Sequence, residues 1–354
     1  MSLEEKIGQM IIIDYRKPVF DEELASILGQ IKPGGIILFS ENFESYNQSI
    51  DFIKQVKATN DIPLFISIDQ EGGKVQRLKS LSDKNVSLIP SMNEIGNIGD
   101  ERIAYEIGTV IAEELRVFGI NMDFAPVIDT VSNSNNKVIG NRSFGSDYNL
   151  VSKMGISLAK GLSDNNIIPV YKHFPGHGNT KVDSHNSLPI IKKTKEELMN
   201  EDLIPFKNVI ENDAEVIMIG HLAVPSIDAS NTPASLSKLI ITDFLKNELG
   251  FNGLVITDAL NMKSITKNYS EEEIYLKAVE SGVDILLMPE NPSKVITVIK
   301  DSIESGTIDE KIVNESVKKI IRLKYEKILD KYEEYLDVSY LNSEEHNNIL
   351  KKIN

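Results

Sequence analysis

Along the 354 residues, short apolar runs alternate with longer stretches in which apolar positions recur every third or fourth residue. Eight runs stand out: MIIID (10–14), GIILF (35–39), LFISID (64–69), NMDFAPV (121–127), IIPVYKH (167–173), VIMIGH (216–221), GLVITD (253–258) and VDILLM (283–288). They are rich in Ile, Val and Leu and mostly continuous rather than alternating, the pattern of strands buried on both faces of a parallel sheet. Helical periodicity fills the intervals, most clearly at 101–119, 194–210 and 237–250. Thr194 and Ser237 stand where N-caps belong, and Gly250 where a helix ends.

Eight strands alternating with helices predict an α/β fold, a (β/α)8 TIM-type barrel. A doubly wound open sheet is the alternative, weakened because no G-x-G-x-x-G follows the first strands. The charged stretch from Asp309 to Asn354 reads as extra C-terminal helices packed outside the barrel. No low-complexity linker or repeat divides the chain, so residues 1–354 are expected to form a single domain.

Polar residues collect at one end of the runs. Asp14, Asp69, Asp123, His173, His221 and Asp258 each come at or just past the end of an apolar stretch, and in a barrel those positions share the C-terminal rim. Any one of them alone reads as a cap or a strand-end hydrogen bond. Six together predict a polar pocket.

Composition narrows the function. With 41% hydrophobic and 26% charged residues the chain is an ordinary globular protein with length for a large core. Its net charge of −15 argues against nucleic acid as a partner, because phosphate binding needs a basic face. The absence of cysteine excludes disulfides, thiolate chemistry and cysteine metal sites, and fits a reducing cytoplasm. The N-terminus carries acidic residues where a signal peptide needs basic ones, and no apolar run approaches the roughly 20 residues that span a bilayer. A cytoplasmic protein without a membrane partner is expected.

The densest chemistry lies in KHFPGHGNTKVDSH (172–185), which holds three of the five histidines. It follows an apolar run, and Pro175, Gly176 and Gly178 make it an irregular loop. Asp183 and His185 are two apart; a carboxylate accepting from an imidazole fixes its tautomer and raises its basicity, which suits general acid/base work, although such a triplet alone is as readily a surface turn. Asp258, ending GLVITD, is a nucleophile, a metal ligand or a helix N-cap. In IDQEGGKVQR (68–77), Asp69, Glu71, Lys74 and Arg77 surround a Gly72-Gly73 turn, a set suited to polyhydroxylated ligands or merely solvated. Arg142, in GNRSFGSD (140–147), either clamps a ligand oxygen or sits in solvent. His173 and His177 are separated by Pro175 and Gly176, so they do not form the helical zinc-binding pair. A metal-dependent barrel hydrolase built on His173, His221 and Asp258 remains the competing reading.

The stretches DQEGGKVQR, GNRSFGSD, KHFPGHGNTKVDSH and VITDAL, in this order, resemble glycoside hydrolase family 3, and specifically its bacterial β-N-acetylglucosaminidase branch. The resemblance implies one catalytic barrel domain over the whole chain and a retaining β-N-acetylglucosaminidase that needs no metal or organic cofactor. Asp258 would be the nucleophile, His185 the general acid/base and Asp183 its partner. Asp69, Arg77, Arg142, Lys172 and His173 would bind the sugar. The implied partner is a small carbohydrate with terminal β-linked N-acetylglucosamine, of the kind found on muropeptides in peptidoglycan recycling, with a phosphorolytic variant as an alternative. Zero tryptophans favour a pocket for one terminal sugar over a long cleft.

Overall fold

The computed structural model describes residues 1–131, 136–178, 188–329 and 335–353. Every apolar run named above forms a strand. In chain order the strands are β1 (Ile11–Asp14), β2 (Gly35–Leu38), β3 (Phe65–Ile68), β4 (Gln70–Gly72), β5 (Val75–Gln76), β6 (Met122–Asp123), β7 (Ile168–Pro169), β8 (Tyr171–Phe174), β9 (Val216–Ile219), β10 (Leu254–Thr257) and β11 (Leu286–Leu287). Apart from the β4–β5 hairpin, all neighbours pair in parallel. The strands β2, β3, β9 and β10 are buried at every residue, which is why their sequences show no alternation.

The architecture is thus α/β with parallel sheets wrapped by helices. The ladder is not one continuous ring: an open six-stranded sheet runs β11-β1-β2-β3-β6-β7, and a second runs β10-β9-β8. The ladder is interrupted between β7 and β8 and again between β10 and β11. Pro169, at the end of β7, has no N–H to donate, and the β8–β9 register shifts between Tyr171 and Phe174. Single parallel bridges, Val127 to Lys172 and Ile256 to Ile285, stand where the two sheets meet.

The helices follow their sequence signals with one exception. Glu101–Val117 is capped by Asp100, and the chain turns out of it at Gly119, whose φ is +72°. This helix lies so close to Tyr148–Asp164 that a Cβ on Gly108 would stand 2.2 Å from the Leu158 carbonyl, and one on Gly161 2.2 Å from that of Tyr105. Residues 194–210 were expected to be one helix and form two, Lys195–Asn200 and Ile204–Glu211. Pro205 is the reason: it is tolerated in the first turn of the second helix but not inside a longer one. Thr194 caps the first as expected, and the Ser237 hydroxyl accepts from the Ile240 amide at 3.3 Å ahead of the helix Leu239–Glu248.

At the C-terminal end, Glu310–Lys327 packs on the first helix, Leu3–Gln9, and on β10, while Glu344–Leu350 packs on Glu101–Val117. Two buried charges mark these contacts. Lys324 reaches Gln9 Oε1 at 2.8 Å beneath the sheet. His346 sets Nε2 2.7 Å from Glu113 and Nδ1 3.4 Å from Glu114. No helix among the described residues is long and apolar enough to cross a membrane.

Candidate active site

A cavity of about 810 Å³ opens at the carboxyl ends of the strands. Its wall includes Asp69 after β3, Lys172 and His173 in β8, Asp258 after β10, Glu71 and Arg77 from the β4–β5 hairpin, and Arg142 from the loop ahead of Tyr148–Asp164. The structure therefore gathers Asp69, Arg77, Arg142, Lys172, His173 and Asp258 from distant parts of the sequence. Asp183 and His185 lie outside the described residues.

A carboxylate network orders the basic groups. Glu71 is buried and accepts from Arg142 Nε and Nη2, both at 2.7 Å, and from Lys172 Nζ at 2.6 Å. Asp69 accepts from Lys172 at 2.8 Å and from Arg77 Nη2 at 3.2 Å. Burial opposes charge on Glu71, but Arg142 and Lys172 outweigh it and hold its carboxyl well below the usual range. Burial likewise opposes charge on Lys172, and Asp69 and Glu71 outweigh it, so the ammonium is retained. Hairpin geometry makes this possible: Gly72 and Gly73 adopt φ of +94° and +55°, which lets the chain fold back and present Glu71 inward.

Asp258 ends β10 and accepts from the Ala259 amide at 2.8 Å. The next helix, Lys263–Thr266, begins several residues later, so Asp258 is not its N-cap. Burial works to raise its pKa and is overcome by His173, His221, the Ala259 amide and Lys172, leaving it below the ordinary carboxylate range. Asp123 shows the opposite balance. It is fully buried, Oδ1 accepts from the Gln70 amide at 2.9 Å, and Oδ2 has no partner among the described residues. Burial, reinforced by Asp69 and Glu71, pushes it up to about 8.

The shared-rim expectation holds for half of its six residues. Asp69, His173 and Asp258 line the cavity. Asp14 instead pairs with Arg16 at 3.0 Å, and Asp123 lies below the wall. His221 Nε2 donates to the Ala259 carbonyl at 2.9 Å and Nδ1 meets Ser235 Oγ at 2.7 Å, which commits both ring nitrogens away from a shared metal. Among the described residues no group of three or more His, Asp or Glu is arranged to hold a metal ion. Arg142, left open between clamp and solvent, is mostly enclosed against Glu71.

Two features escaped the sequence. One is the role of Glu71 as the common anchor of Arg142 and Lys172, since spacing alone cannot show which carboxylate meets which cation. The other is Asp129, fully buried and hydrogen-bonded to His173. Its signal was present: an aspartate two residues past the NMDFAPV run, in otherwise apolar surroundings. At the cavity mouth Arg16 lies 3.3 Å from the Phe39 ring centroid, and Lys74 and Lys137 stand without an ion-pair partner among the described residues.

Comparison with known proteins adds three findings. Residues 2–323 match the family model described as the glycosyl hydrolase family 3 N terminal domain. Beta-hexosaminidase A of Pseudoalteromonas piscicida is 31% identical over 92% of this chain, and Beta-hexosaminidase of Methylobacillus flagellatus is 35% identical over 74% of it. The chain spans only 61% of the length of the first of these and 74% of the second. A family 3 β-N-acetylglucosaminidase structure from Paenibacillus sp. str. FPU-7 superposes with a TM-score of 0.94 at 32% identity, covering 100% of this chain and 68% of that one.

Proposed function

Because this chain belongs to glycosyl hydrolase family 3, we propose that it is a retaining β-N-acetylglucosaminidase releasing terminal β-linked N-acetylglucosamine. The observation that carries the reading is the contrast between two aspartates at strand ends. Asp258 lines the cavity with its carboxyl held ionised, whereas Asp123 is pushed up to about 8 outside it. Only the first is a competent nucleophile at neutral pH.

In this mechanism Asp258 attacks the anomeric carbon as the glycosidic C–O bond breaks, and His185, partnered by Asp183, gives a proton to the leaving oxygen. Water, deprotonated by His185, then attacks the glycosyl–Asp258 ester and regenerates the carboxylate. Asp69, Arg77, Arg142, Lys172 and His173 bind the sugar hydroxyls. Arg142 and Lys172 are prearranged on Glu71, and Arg77 and Lys172 on Asp69, which favours that role.

The exposed Lys74 and Lys137, which have no ion-pair partner among the described residues, stand at the mouth of an otherwise acidic protein and favour an aglycone bearing carboxylates, as on a muropeptide, and a cytoplasmic role in peptidoglycan recycling is consistent with a chain without cysteine. The same pair would suit phosphate as an alternative acceptor. We further read the two sheets as one interrupted (β/α)8 barrel in a single domain, a reading supported by the Val127–Lys172 and Ile256–Ile285 bridges.

The test is turnover of a chromogenic aryl β-N-acetylglucosaminide by the native chain and by Asp258→Ala, each with and without EDTA. Release by the native chain that survives EDTA and disappears in Asp258→Ala is expected. Release that EDTA stops would transfer the site to metal chemistry, and undiminished release by Asp258→Ala would end the nucleophile assignment.

A further inference from the structure

Behind the cavity wall a second carboxylate–imidazole pair is formed, whose carboxylate the mechanism above does not use. Asp129 has 0% exposure and does not line the cavity. Its Oδ2 accepts from His173 twice, from Nδ1 at 2.7 Å and from the backbone amide at 3.2 Å. Its Oδ1 accepts from the His177 amide at 2.6 Å. One carboxylate thus grips both the strand end and the turn four residues later. That turn is fixed independently: the Gly176 amide donates to the His173 carbonyl at 2.8 Å, and Asn136 Nδ2 donates to the His177 carbonyl at 2.9 Å.

We propose that Asp129 is a positioning residue of the glycosidase site, selecting the Nδ1–H tautomer of His173 and aiming its Nε2 into the cavity. Burial opposes charge on Asp129 and is outweighed by His173 and His177, so its carboxyl lies below the usual range and both oxygens act as acceptors. An ionised carboxylate 2.7 Å from Nδ1 requires the proton to reside on that nitrogen. Since His173 is a wall residue and Nδ1 is occupied, Nε2 is the nitrogen presented to ligand. In the neutral ring Nε2 accepts from a sugar hydroxyl; in the charged ring it donates. Without Asp129 either nitrogen can carry the proton and the ring can turn. A partner that orients a functional imidazole in this way is worth about 10- to 100-fold where it has been removed in metal sites, and the same physics applies to a hydrogen-bonding imidazole.

The role of His173 in catalysis rests on the glycosidase reading, whereas the tautomer does not, so the two are measured separately. Ring nitrogen-15 NMR of the native chain, with the His173 signals assigned by their loss in His173→Gln, is expected to show a protonated Nδ1. An Nε2–H tautomer would overturn the proposal, whether or not any variant folds. Kinetics on the aryl β-N-acetylglucosaminide then compare Asp129→Asn, His173→Gln and the double variant. Asp129→Asn should lose about 10- to 100-fold in kcat/KM, and the double variant should be no worse than His173→Gln, because Asp129 acts through that ring. Losses that multiply in the double variant would show an independent, structural contribution and refute the assignment. A native chain with no turnover would sink the glycosidase reading and leave the NMR outcome standing.

Discussion

His346→Gln is the sharpest stability test. His346 is 1% exposed, and both ring nitrogens face carboxylates of the neighbouring helix, Glu113 at 2.7 Å and Glu114 at 3.4 Å. Burial disfavours the imidazolium, but the hydrogen bonds and charges of Glu113 and Glu114 win and raise its pKa from 6.5 to about 9. The folded chain therefore holds a proton that the unfolded chain releases between those values. Stability from this proton is complete below pH 6.5 and fades as pH rises through 9. At about 1.4 kcal/mol per pH unit, the interval is worth about 3 kcal/mol. Glutamine keeps the size and the donor but not the charge. Urea unfolding at pH 6 should find the variant less stable than native by about 3 kcal/mol more than at pH 10. Other titrating groups are common to both proteins and cancel in the difference. A native-to-variant gap of equal size at pH 6 and pH 10 would refute the reasoning and reduce the contact to neutral hydrogen bonding.

Three further outcomes follow from the structure. Lys324, fully enclosed with Gln9 as its hydrogen-bond acceptor, is pushed by burial down to about 7, so its contribution to stability is recovered only as pH climbs from 7 toward 10.5; Lys324→Met should raise the urea midpoint at pH 6, and an unchanged or lower midpoint would show the ammonium to be better solvated than its surroundings imply. Glu71→Gln removes the charge shared by Arg142 and Lys172, and KM for the aryl glycoside should rise by at least about 10-fold with a native circular-dichroism spectrum; an unaltered KM would mean the two cations hold their places unaided. Gly108→Ala drives a methyl into the Leu158 carbonyl at a helix crossing and should cost about 1–3 kcal/mol, read as a lower thermal midpoint.

Much of the fold was legible because strands buried on both faces need apolar residues at every position, as in β9 and β10. The two breaks in the ladder were not, since they depend on strand register and backbone pairing, and hydrophobic patterning is blind to both. At Pro205 the periodicity of 194–210 continues, but the helical backbone cannot. At the site, residues at run ends were found because a parallel sheet places all its carboxyl ends together. Which of them face the cavity was not decided by that rule. Asp14 turned to Arg16, two residues on, and Asp123 went below the wall to meet the Gln70 amide, 53 residues away. Asp129 was missed because a lone aspartate after FAPVI resembles a strand-end cap until the loop at 173–177 is laid over it.

The Glu71 anchor has a consequence for how the cavity responds to its solution. Arg142 and Lys172 are already paired with carboxylates of the chain itself, Glu71 and Asp69, so dissolved chloride or acetate gains little by entering. The rotamer freedom of two long side chains, about 0.5–1.5 kcal/mol each, is surrendered during folding rather than when a sugar arrives. An uncharged glycoside should therefore bind with nearly the same affinity in dilute buffer and in strong brine. The exposed lysines at the mouth, Lys74 and Lys137, follow the opposite rule, and any anion they attract should be released as ionic strength rises. Salt alone would then separate the interior of the cavity from its entrance.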